Sequence, residues 1–312
     1  MQDAPGLALS LENVEKHFGA TRAVRDLSFA VPKGSLCGFL GPNGAGKSTT
    51  IRMIMSIITP DRGRVRVLGS DAAHTKDRIG YLPETRGLYP RMRVREYLAY
   101  VGRLKGLTGA DARGRVAANL DAMGLGEVAD QRCRALSKGM QQKVQIVAAL
   151  VHEPELLILD EPFSGLDPVN VERLSATIRG LRDRGVTILF STHVLDQAER
   201  LCDRVILVHH GEKLLDATLA EVRAQFDPRT LDVELLDEAA SLPVDLPGVC
   251  AIERLDRQRF EVHLEPDADP QETLRVVAQR CAVRSVALRR LSLREVFVQL
   301  VGDAGAPSDE VG

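Results

Sequence analysis

An unbroken phosphate-binding loop constrains the fold of this chain more than any other feature of its sequence. Residues 41–48 read GPNGAGKS and match the pattern G-x-x-x-x-G-K-[ST]. The apolar residues 35–40 before the loop predict a buried strand, and residues 49–58 after it carry apolar side chains at helical spacing. The motif requires a strand before the loop and a helix after it, and both are predicted here. The sequence therefore predicts an α/β core that binds a nucleoside triphosphate.

The residue types in the loop suit the chemistry of phosphate binding. Its three glycines let the backbone curl so that successive N–H groups face phosphate oxygens, and the positive N-terminal end of the next helix adds to the attraction. Lys47 supplies a charge for the β- and γ-phosphates, and Ser48 offers a hydroxyl to Mg²⁺. The residues expected to bind the nucleotide here are Gly41, Pro42, Asn43, Gly44, Ala45, Gly46, Lys47, Ser48 and Thr49.

Composition narrows the remaining possibilities. With 312 residues, 44% hydrophobic and 27% charged, the chain has room for one large domain and a small one. A net charge of −2 gives no reason to expect nucleic-acid binding. Five cysteines without metal-ligand spacing indicate free thiols in a reducing compartment, so we expect a cytoplasmic location. No stretch approaches the roughly 20 apolar residues of a membrane-spanning helix, so any association with a membrane is expected to be peripheral.

The pattern of predicted strands and helices divides the chain. We expect a nucleotide-binding domain at residues 1–225, with a helical subdomain inserted at about 90–152, where strand patterns give way to helical ones. Alternating strands and two helices beyond Asp227-Pro228 predict a small α+β domain at 226–302, with a ferredoxin-like arrangement as the working hypothesis. The polar, acidic residues 303–312 predict a disordered tail.

Two other predicted strands end in residues that suit the same site. An apolar strand ends at Asp160 and Glu161, where the first carboxylate can help to hold Mg²⁺ and the second can polarise a water. His193 directly follows the next apolar strand, and ligands gather where strands end in open α/β sheets. Taken alone, the two carboxylates could instead form a solvated turn, and a lone histidine is more often structural.

In this order the motifs resemble those of the ATP-binding subunits of ABC transporters, over about residues 7–225. The match places residues 41–49 at the Walker A motif and 157–161 at Walker B, and it implies ATP as the nucleotide, Glu161 as the catalytic base and His193 as the switch histidine. Residues 164–167 match the D-loop. Phe18 stands where an aromatic residue stacks on adenine, although it could instead be a core residue.

Two positions depart from the family pattern. The signature L-S-G-G-Q has Lys138 for its first glycine and Met140 for its glutamine, but Ser137 and Gly139 remain at a predicted helix N-terminus that suits phosphate. By resemblance, Ser137 and Gly139 act on the ATP held by a partner subunit. Glu84 stands where the family has the Q-loop glutamine. It could approach Mg²⁺ or accept a water, alongside Ser48 and Asp160 as metal ligands, or it could be a solvated loop residue.

The resemblance implies a fold class and a function. We expect a P-loop ABC-type ATPase core with an antiparallel β edge and a helical subdomain, plus the small C-terminal domain, which is similar to that of sodium-export-type and multidrug-type ATPases that pair with ABC-2-type permeases. The chain would hydrolyse ATP while closing as a dimer with a second copy or a homologous ATPase subunit. It would thereby energise a separate integral-membrane permease that exports ions or small molecules, while bound peripherally to the inner face of the cell membrane.

Other interpretations remain open. Apolar residues at 87–92 would receive the permease, but local core packing explains them as well. A soluble ABC ATPase that acts on nucleic acid or the translation machinery would usually show fused nucleotide domains, coiled-coil insertions or zinc-ligand cysteines, none of which is visible. A regulatory module that binds ATP without turnover is the third possibility, and the intact Glu161 argues against it.

Overall fold

The strand that leads into the phosphate loop lies inside a six-stranded sheet in the computed structural model, which describes residues 6–85 and 87–305. Numbered along the chain and given in spatial order, the strands are β10 (Glu212–Thr218), β9 (Arg204–His209), β3 (Leu36–Leu40), β8 (Thr187–Thr192), β7 (Leu156–Asp160) and β6 (Ile79–Leu82). All neighbours pair in parallel except β10, which is an antiparallel edge strand. The carboxyl ends of β3, β7 and β8 therefore meet at one edge of the sheet.

A second, antiparallel sheet packs against the first. Its strands in spatial order are β2 (Thr21–Pro32), β1 (Leu7–Phe18), β4 (Arg62–Val67) and β5 (Ser70–Asp71). One apolar core contains residues of both sheets, among them Phe29 and Phe39 with ring centroids 5.4 Å apart. The sequence His17-Phe18-Gly19 predicts a turn. That prediction is wrong for His17 and Phe18, because β1 continues to Phe18, which pairs with Thr21 across a two-residue turn.

Six helices belong to this part of the described chain. They are α1 (Lys47–Ile54), α2 (Val94–Leu104), α3 (Gly109–Ala122), α4 (Lys138–Leu150), α5 (Pro168–Asp183) and α6 (Leu195–Leu201). Helix α1 ends before the predicted residue 58, because Ser56 adopts a left-handed conformation with φ 51° and the next two N–H groups bond to the Arg52 carbonyl. Helices α2, α3 and α4 share a separate apolar core, which includes Leu98, Leu120 and Val147. They form the helical subdomain.

The boundary between two compact units falls between Leu219 and Ala220. Most of α7 (Leu219–Gln225) therefore belongs to the second unit, whereas the sequence assigned it to the first domain. The composition change at Asp227-Pro228 marks only the end of this helix.

The second unit contains one antiparallel sheet and two more helices. In spatial order its strands are β12 (Val249–Arg254), β13 (Arg259–Leu264), β11 (Thr230–Leu235) and β14 (Val283–Leu288), and its helices are α8 (Pro270–Arg280) and α9 (Leu293–Gly305). Strands β13 and β14 run antiparallel to β11 on its two sides, so β13–α8–β14 is a split βαβ unit. The predicted ferredoxin-like arrangement is present in the strand order, except that an irregular segment replaces the helix between β11 and β12.

The end of the second unit differs from its prediction. Helix α9 extends to Gly305, so residues 303–305 of the predicted tail are helical, and residues 306–312 lie outside the described residues. Across residues 6–85 and 87–305, no helix combines the length and the apolar character needed to cross a membrane.

Candidate active site

The phosphate loop owes its shape to glycines with close neighbours. Gly46, the N-cap of α1, has φ 97°, and a Cβ atom there would lie 2.5 Å from the Ala23 carbonyl oxygen. A Cβ atom at Gly41 would lie 2.2 Å from the carbonyl oxygen of Val208. Gly44 has φ 82° with nothing within 4 Å of the added atom, so its requirement is conformational rather than steric. The loop therefore depends on both local backbone freedom and contact with neighbouring strands.

Lys47 is buried under the loop that precedes it. Its Nζ atom donates to the carbonyl oxygens of Gly41 and Pro42, at 2.7 and 3.1 Å, and the residue is only 6% exposed. Burial lowers the pKa of Lys47, while the carboxylates of Glu161, Asp160 and Glu84 act in the opposite direction. The ammonium group thus lies in an acidic environment that can hold a cation or a magnesium-bound phosphate.

Asp160 and Glu161 are held in place by Ser191 on the neighbouring strand. The register of β7 and β8 pairs Asp160 with Ser191, whose hydroxyl donates to Oδ1 of Asp160 at 2.5 Å. The backbone N–H of Glu161 in turn donates to the carbonyl and hydroxyl oxygens of Ser191, at 3.1 and 3.3 Å. Glu161 has a left-handed backbone with φ 48°, which ends β7 and turns the chain away from the sheet.

His193 contacts the second of these carboxylates. Its Nδ1 atom is 2.9 Å from Oε1 of Glu161, and the same oxygen is 3.9 Å from Nζ of Lys47. The Glu161 side chain is 12% exposed and that of His193 is 50% exposed. An enclosed carboxylate is thus in contact with an accessible imidazole at the edge of the sheet.

A cleft of about 590 Å³ opens beside the loop. The predicted site residues that line it are Asn43, Gly44, Gly46, Lys47, Ser48, Thr49, Glu84 and Glu161. Asp160 and Ala45 are buried behind it, at 4% and 3% exposure. Glu84 is exposed within the cleft, so its carboxylate faces the same space as Lys47 and Glu161.

Phe18 lies at the end of the hairpin that borders this cleft. Its pairing partner Thr21 and the adjacent Ala20 line the cleft, and Phe18 itself is 51% exposed. The ammonium group of Lys16 lies 5.7 Å from the ring centroid. The alternative that Phe18 is a core residue is therefore wrong, and its ring is free to contact a flat ligand.

Ser137 and Gly139 do not line the cleft. Ser137 is the N-cap of α4, where its hydroxyl accepts the Met140 N–H at 3.3 Å. A Cβ atom at Gly139 would lie 3.3 Å from Nδ2 of Asn170 in the first turn of α5. Nδ2 of Asn170 donates to Asp167 at 2.6 Å. The predicted signature and D-loop segments are therefore neighbours of each other, away from the phosphate loop.

Sequence reasoning missed several residues of the site. Arg22, Arg25 and His210 line the cleft, and Ser191 positions both carboxylates. The contribution of Ser191 depends on strand register, which no sequence motif records. Arg22 and Arg25 lie on β2, and the β1–β2 hairpin places them beside the cleft. The sequence indicates them only as basic residues that closely follow the predicted turn.

Comparisons with known proteins agree with this geometry. Residues 24–164 match the family described as ABC transporter, and residues 218–301 match the C-terminal domain of the DrrA1-3-like ATP-binding proteins. The chain is 36% identical to the uncharacterized ABC transporter ATP-binding protein YhaQ of Bacillus subtilis, over 94% of this chain and 98% of that protein.

A second relative and a solved structure extend the comparison. The daunorubicin/doxorubicin resistance ATP-binding protein DrrA of Streptomyces peucetius is 35% identical over 99% of this chain and 96% of its own length. A structure described as the ATP binding subunit of an ABC transporter is 35% identical, with a TM-score of 0.65, over 70% of this chain and 93% of that one. The predicted fold class is thus confirmed.

Proposed function

The chain belongs to the family of ABC transporter ATP-binding proteins, and on that premise we propose that its cleft hydrolyses ATP to drive a separate membrane-spanning export subunit. The observation that carries the proposal is the convergence of Lys47, Asp160, Glu161 and His193 at the carboxyl edge of one parallel sheet. Such an edge is where α/β proteins bind their ligands.

The loop residues bind the triphosphate in this proposal. Backbone N–H groups of the loop after Pro42 and the N-terminus of α1 hold the phosphates, and Lys47 exchanges its two carbonyl contacts for phosphate oxygens. Phe18 stacks on the adenine, since its exposed ring borders the cleft. Arg22 and Arg25 add positive charge to the same wall.

The oxygen donors at the site fit magnesium. The hydroxyl of Ser48, the carboxylate of Asp160 and the exposed carboxylate of Glu84 are hard ligands of the kind that Mg²⁺ prefers. When bound, the ion would neutralise charge on the β- and γ-phosphates. Ser191 orients Asp160 for this role through its hydroxyl.

Glu161 acts as the general base. Its carboxylate lines the cleft beside Lys47, which places it to accept a proton from a water that attacks the γ-phosphate. His193 holds the carboxylate through Nδ1, and we assign its exposed imidazole to contact with the γ-phosphate. Catalysis rests mainly on positioning and on stabilising charge.

The complete site requires a second chain, which is another copy or a homologous ATPase subunit. Ser137 and Gly139 lie at the accessible N-terminus of α4, outside the cleft, where a helix dipole and unpaired N–H groups suit a phosphate. We therefore assign them to the ATP that the partner subunit holds.

The surface beside Glu84 is the proposed contact with the permease. Tyr89 is 51% exposed, and its ring centroid lies 5.9 Å from those of Tyr97 and Tyr100. Leu88 and Met92 instead pack against the helical core, so the loop combines local packing with an exposed aromatic face. Aromatic side chains of this kind are frequent anchors of protein interfaces. The subunit would thus sit in the cytoplasm, against the inner face of the cell membrane.

The cargo is inferred from the relatives. The name of the Streptomyces relative refers to resistance to daunorubicin and doxorubicin. We therefore favour a small organic molecule over an ion as the exported substrate.

Two measurements test the proposal. The Glu161→Gln chain is incubated with ATP and its mass is measured by light scattering, with the same chain without nucleotide as the reference. A dimer that forms only with ATP supports the two-chain site, whereas a monomer under both conditions contradicts it. For transport, the tagged chain is isolated from its native membranes. Failure to co-sediment with any integral membrane protein would reject the link to a permease.

A further inference from the structure

Three potential metal ligands cluster on one face of the sheet in the second unit. Glu253 lies on β12, and Glu261 and His263 lie on β13, with Glu253 directly opposite Glu261 in the strand register. One ligand atom of each residue lies within 4.8 Å of those of the other two. The opposite face of the same strands carries Phe260, Val262 and other core residues, so this cluster is on the polar face.

The hydrogen bonds of Thr230 fix the tautomer of His263. The Thr230 hydroxyl has one proton, and it lies 2.9 Å from the Pro228 carbonyl, which can only accept. The same oxygen is 3.1 Å from Nδ1 of His263. Both contacts are hydrogen bonds only if Nδ1–H of His263 donates to the Thr230 hydroxyl. Because Thr230 is only 1% exposed, water does not compete for this hydroxyl. In the neutral imidazole of His263, the lone pair is therefore on Nε2.

That lone pair faces carboxylate oxygens rather than a donor. Nε2 of His263 is 4.0 Å from Oε2 of Glu253, which is longer than a hydrogen bond. Asp232, Glu261 and Glu253 also stand directly opposite one another across β11, β13 and β12, an arrangement of like charges that destabilises a sheet. Arg289 contacts Glu261 but also binds Glu295, so it compensates only part of this charge.

We propose that Glu253, Glu261 and His263 bind one divalent transition-metal ion, with Zn²⁺ as the best match. One imidazole nitrogen and two carboxylate oxygens are ordinary zinc ligands, and water completes the tetrahedron. Zinc lies about 2.0–2.2 Å from such ligands, so a small rotation of the Glu253 side chain, which is 65% exposed, closes the set. Thr230 and Arg289 orient the ligands from behind, as outer partners do in known metal sites.

The ion would join the outer strand β12 to β13. Strand β12 pairs only with β13 in the described sheet, so a cross-strand metal adds a link where one side of the strand has no strand neighbour. Because the metal would bind the folded unit and not the unfolded chain, it would raise the thermal unfolding midpoint. The proposal concerns the second unit alone and does not depend on the nucleotide site.

The test is a zinc titration of the full, nucleotide-free chain after chelator treatment and desalting, followed by calorimetry. The wild-type chain is expected to bind one equivalent of Zn²⁺. In His263→Ala and in Glu253→Gln, the affinity for this equivalent should fall at least tenfold or binding should be lost. Glu253→Gln alters an exposed side chain, so it keeps the test valid if His263→Ala folds poorly. Two matched controls, Glu265→Gln and Cys250→Ser, change an exposed carboxylate and an exposed thiol nearby and should leave this equivalent unchanged.

The role of Thr230 has its own readout. Thr230→Val removes the hydroxyl that accepts from Nδ1 and should weaken zinc binding about tenfold, while Thr230→Ser should restore it. Zinc should also raise the unfolding midpoint of the wild-type chain but not that of Glu253→Gln. If the wild-type chain takes up no such equivalent, the proposal fails. It fails equally if His263→Ala and Glu253→Gln bind zinc as the wild type does.

Discussion

Nδ1 of His193 lies 2.9 Å from Oε1 of Glu161, at the ends of two neighbouring parallel strands. The contact uses the Nδ1 side of the imidazole to hold the carboxylate, which leaves the exposed ring edge toward the solvent. One oxygen of Glu161 thereby links the histidine to Lys47 at 3.9 Å. His193, Glu161 and Lys47 therefore form one connected set of contacts.

Replacing Glu161 by glutamine should separate binding from turnover. The amide has nearly the same shape but cannot accept a proton, so ATP hydrolysis should fall by about 10²–10⁴-fold, the usual contribution of a general base. Nucleotide affinity should change little. Phosphate release measures the first quantity, and a fluorescent ATP analogue measures the second, since the chain has no tryptophan to interfere.

The matched control is Glu155→Gln, which removes a half-exposed carboxylate paired with Arg78 at the other end of β7. Its turnover should match the wild type. Equal turnover of Glu161→Gln and the wild-type chain would exclude Glu161 as the base.

Replacing Ser191 by alanine should weaken the binding of Mg²⁺ at the site rather than change the chemical step. The change leaves buried Asp160 without its hydroxyl donor, which typically costs about 1–3 kcal/mol of stability. The Mg²⁺ concentration for half-maximal ATPase activity should rise several-fold. Urea unfolding and a magnesium titration measure the two effects.

Ser175→Ala serves as the control for Ser191, because it removes another buried hydroxyl on α5, away from the carboxylates. The role assigned to Ser191 is refuted if both variants show the same magnesium dependence.

Mixing two inactive chains should restore activity if the site is shared between subunits. Lys47→Met removes the phosphate ligand. Ser137→Asp keeps an N-cap residue on α4 but repels the partner's phosphate. Each chain alone should be nearly inactive. Their mixture should recover up to about a quarter of wild-type turnover, since half of randomly formed dimers contain one intact site of two.

The control mixture combines Lys47→Met with Lys47→Met,Ser137→Asp, which cannot form an intact site in any pairing. Recovery in the control, or none in the test mixture, would contradict the proposed exchange of signature helices.

His152 should make the first unit sensitive to acid. Its Nε2 atom is 3.1 Å from the Ile79 carbonyl, and its buried Nδ1 has no hydrogen-bond partner among the described residues. Burial, and then the charge of Lys105, lower the pKa of His152 to about 4, with Arg115 acting in the same sense and Asp77 opposing it. The unfolded chain therefore binds this proton first, so the stabilisation is complete above pH 6.5 and declines as the pH falls toward 4.

When the pH is lowered from 7 to 5, protonation of His152 in the unfolded chain should reduce the free energy of unfolding by roughly 2 kcal/mol. Urea unfolding of the wild-type chain at several pH values measures the loss, which should be smaller in His152→Gln. His74→Gln, an exposed histidine, should retain the wild-type dependence. Parallel curves for the wild type and His152→Gln would assign the acid sensitivity to other groups.

Sequence patterns were sufficient to predict secondary structure wherever one segment determines its own conformation. The phosphate loop, the buried strands β3 and β7, and the helical stretch around residues 94–150 follow from glycine positions and apolar spacing. The patterns were insufficient where apolar residues continue past the end of an element. Residues 55–58 have helical spacing, yet the left-handed Ser56 ends α1.

The sequence by itself determined the nucleotide chemistry, because the glycines, Lys47 and Ser48 of the phosphate loop all lie within residues 41–48. Tertiary structure alone decided that Asp160 lies opposite Ser191, that Glu161 contacts His193, and that His263 faces Glu253. These relationships depend on the register of distant strands, and a shift of one residue would turn each side chain to the opposite face of its sheet. Register is fixed by burying whole sheet faces, a property of the assembled core that no single segment contains.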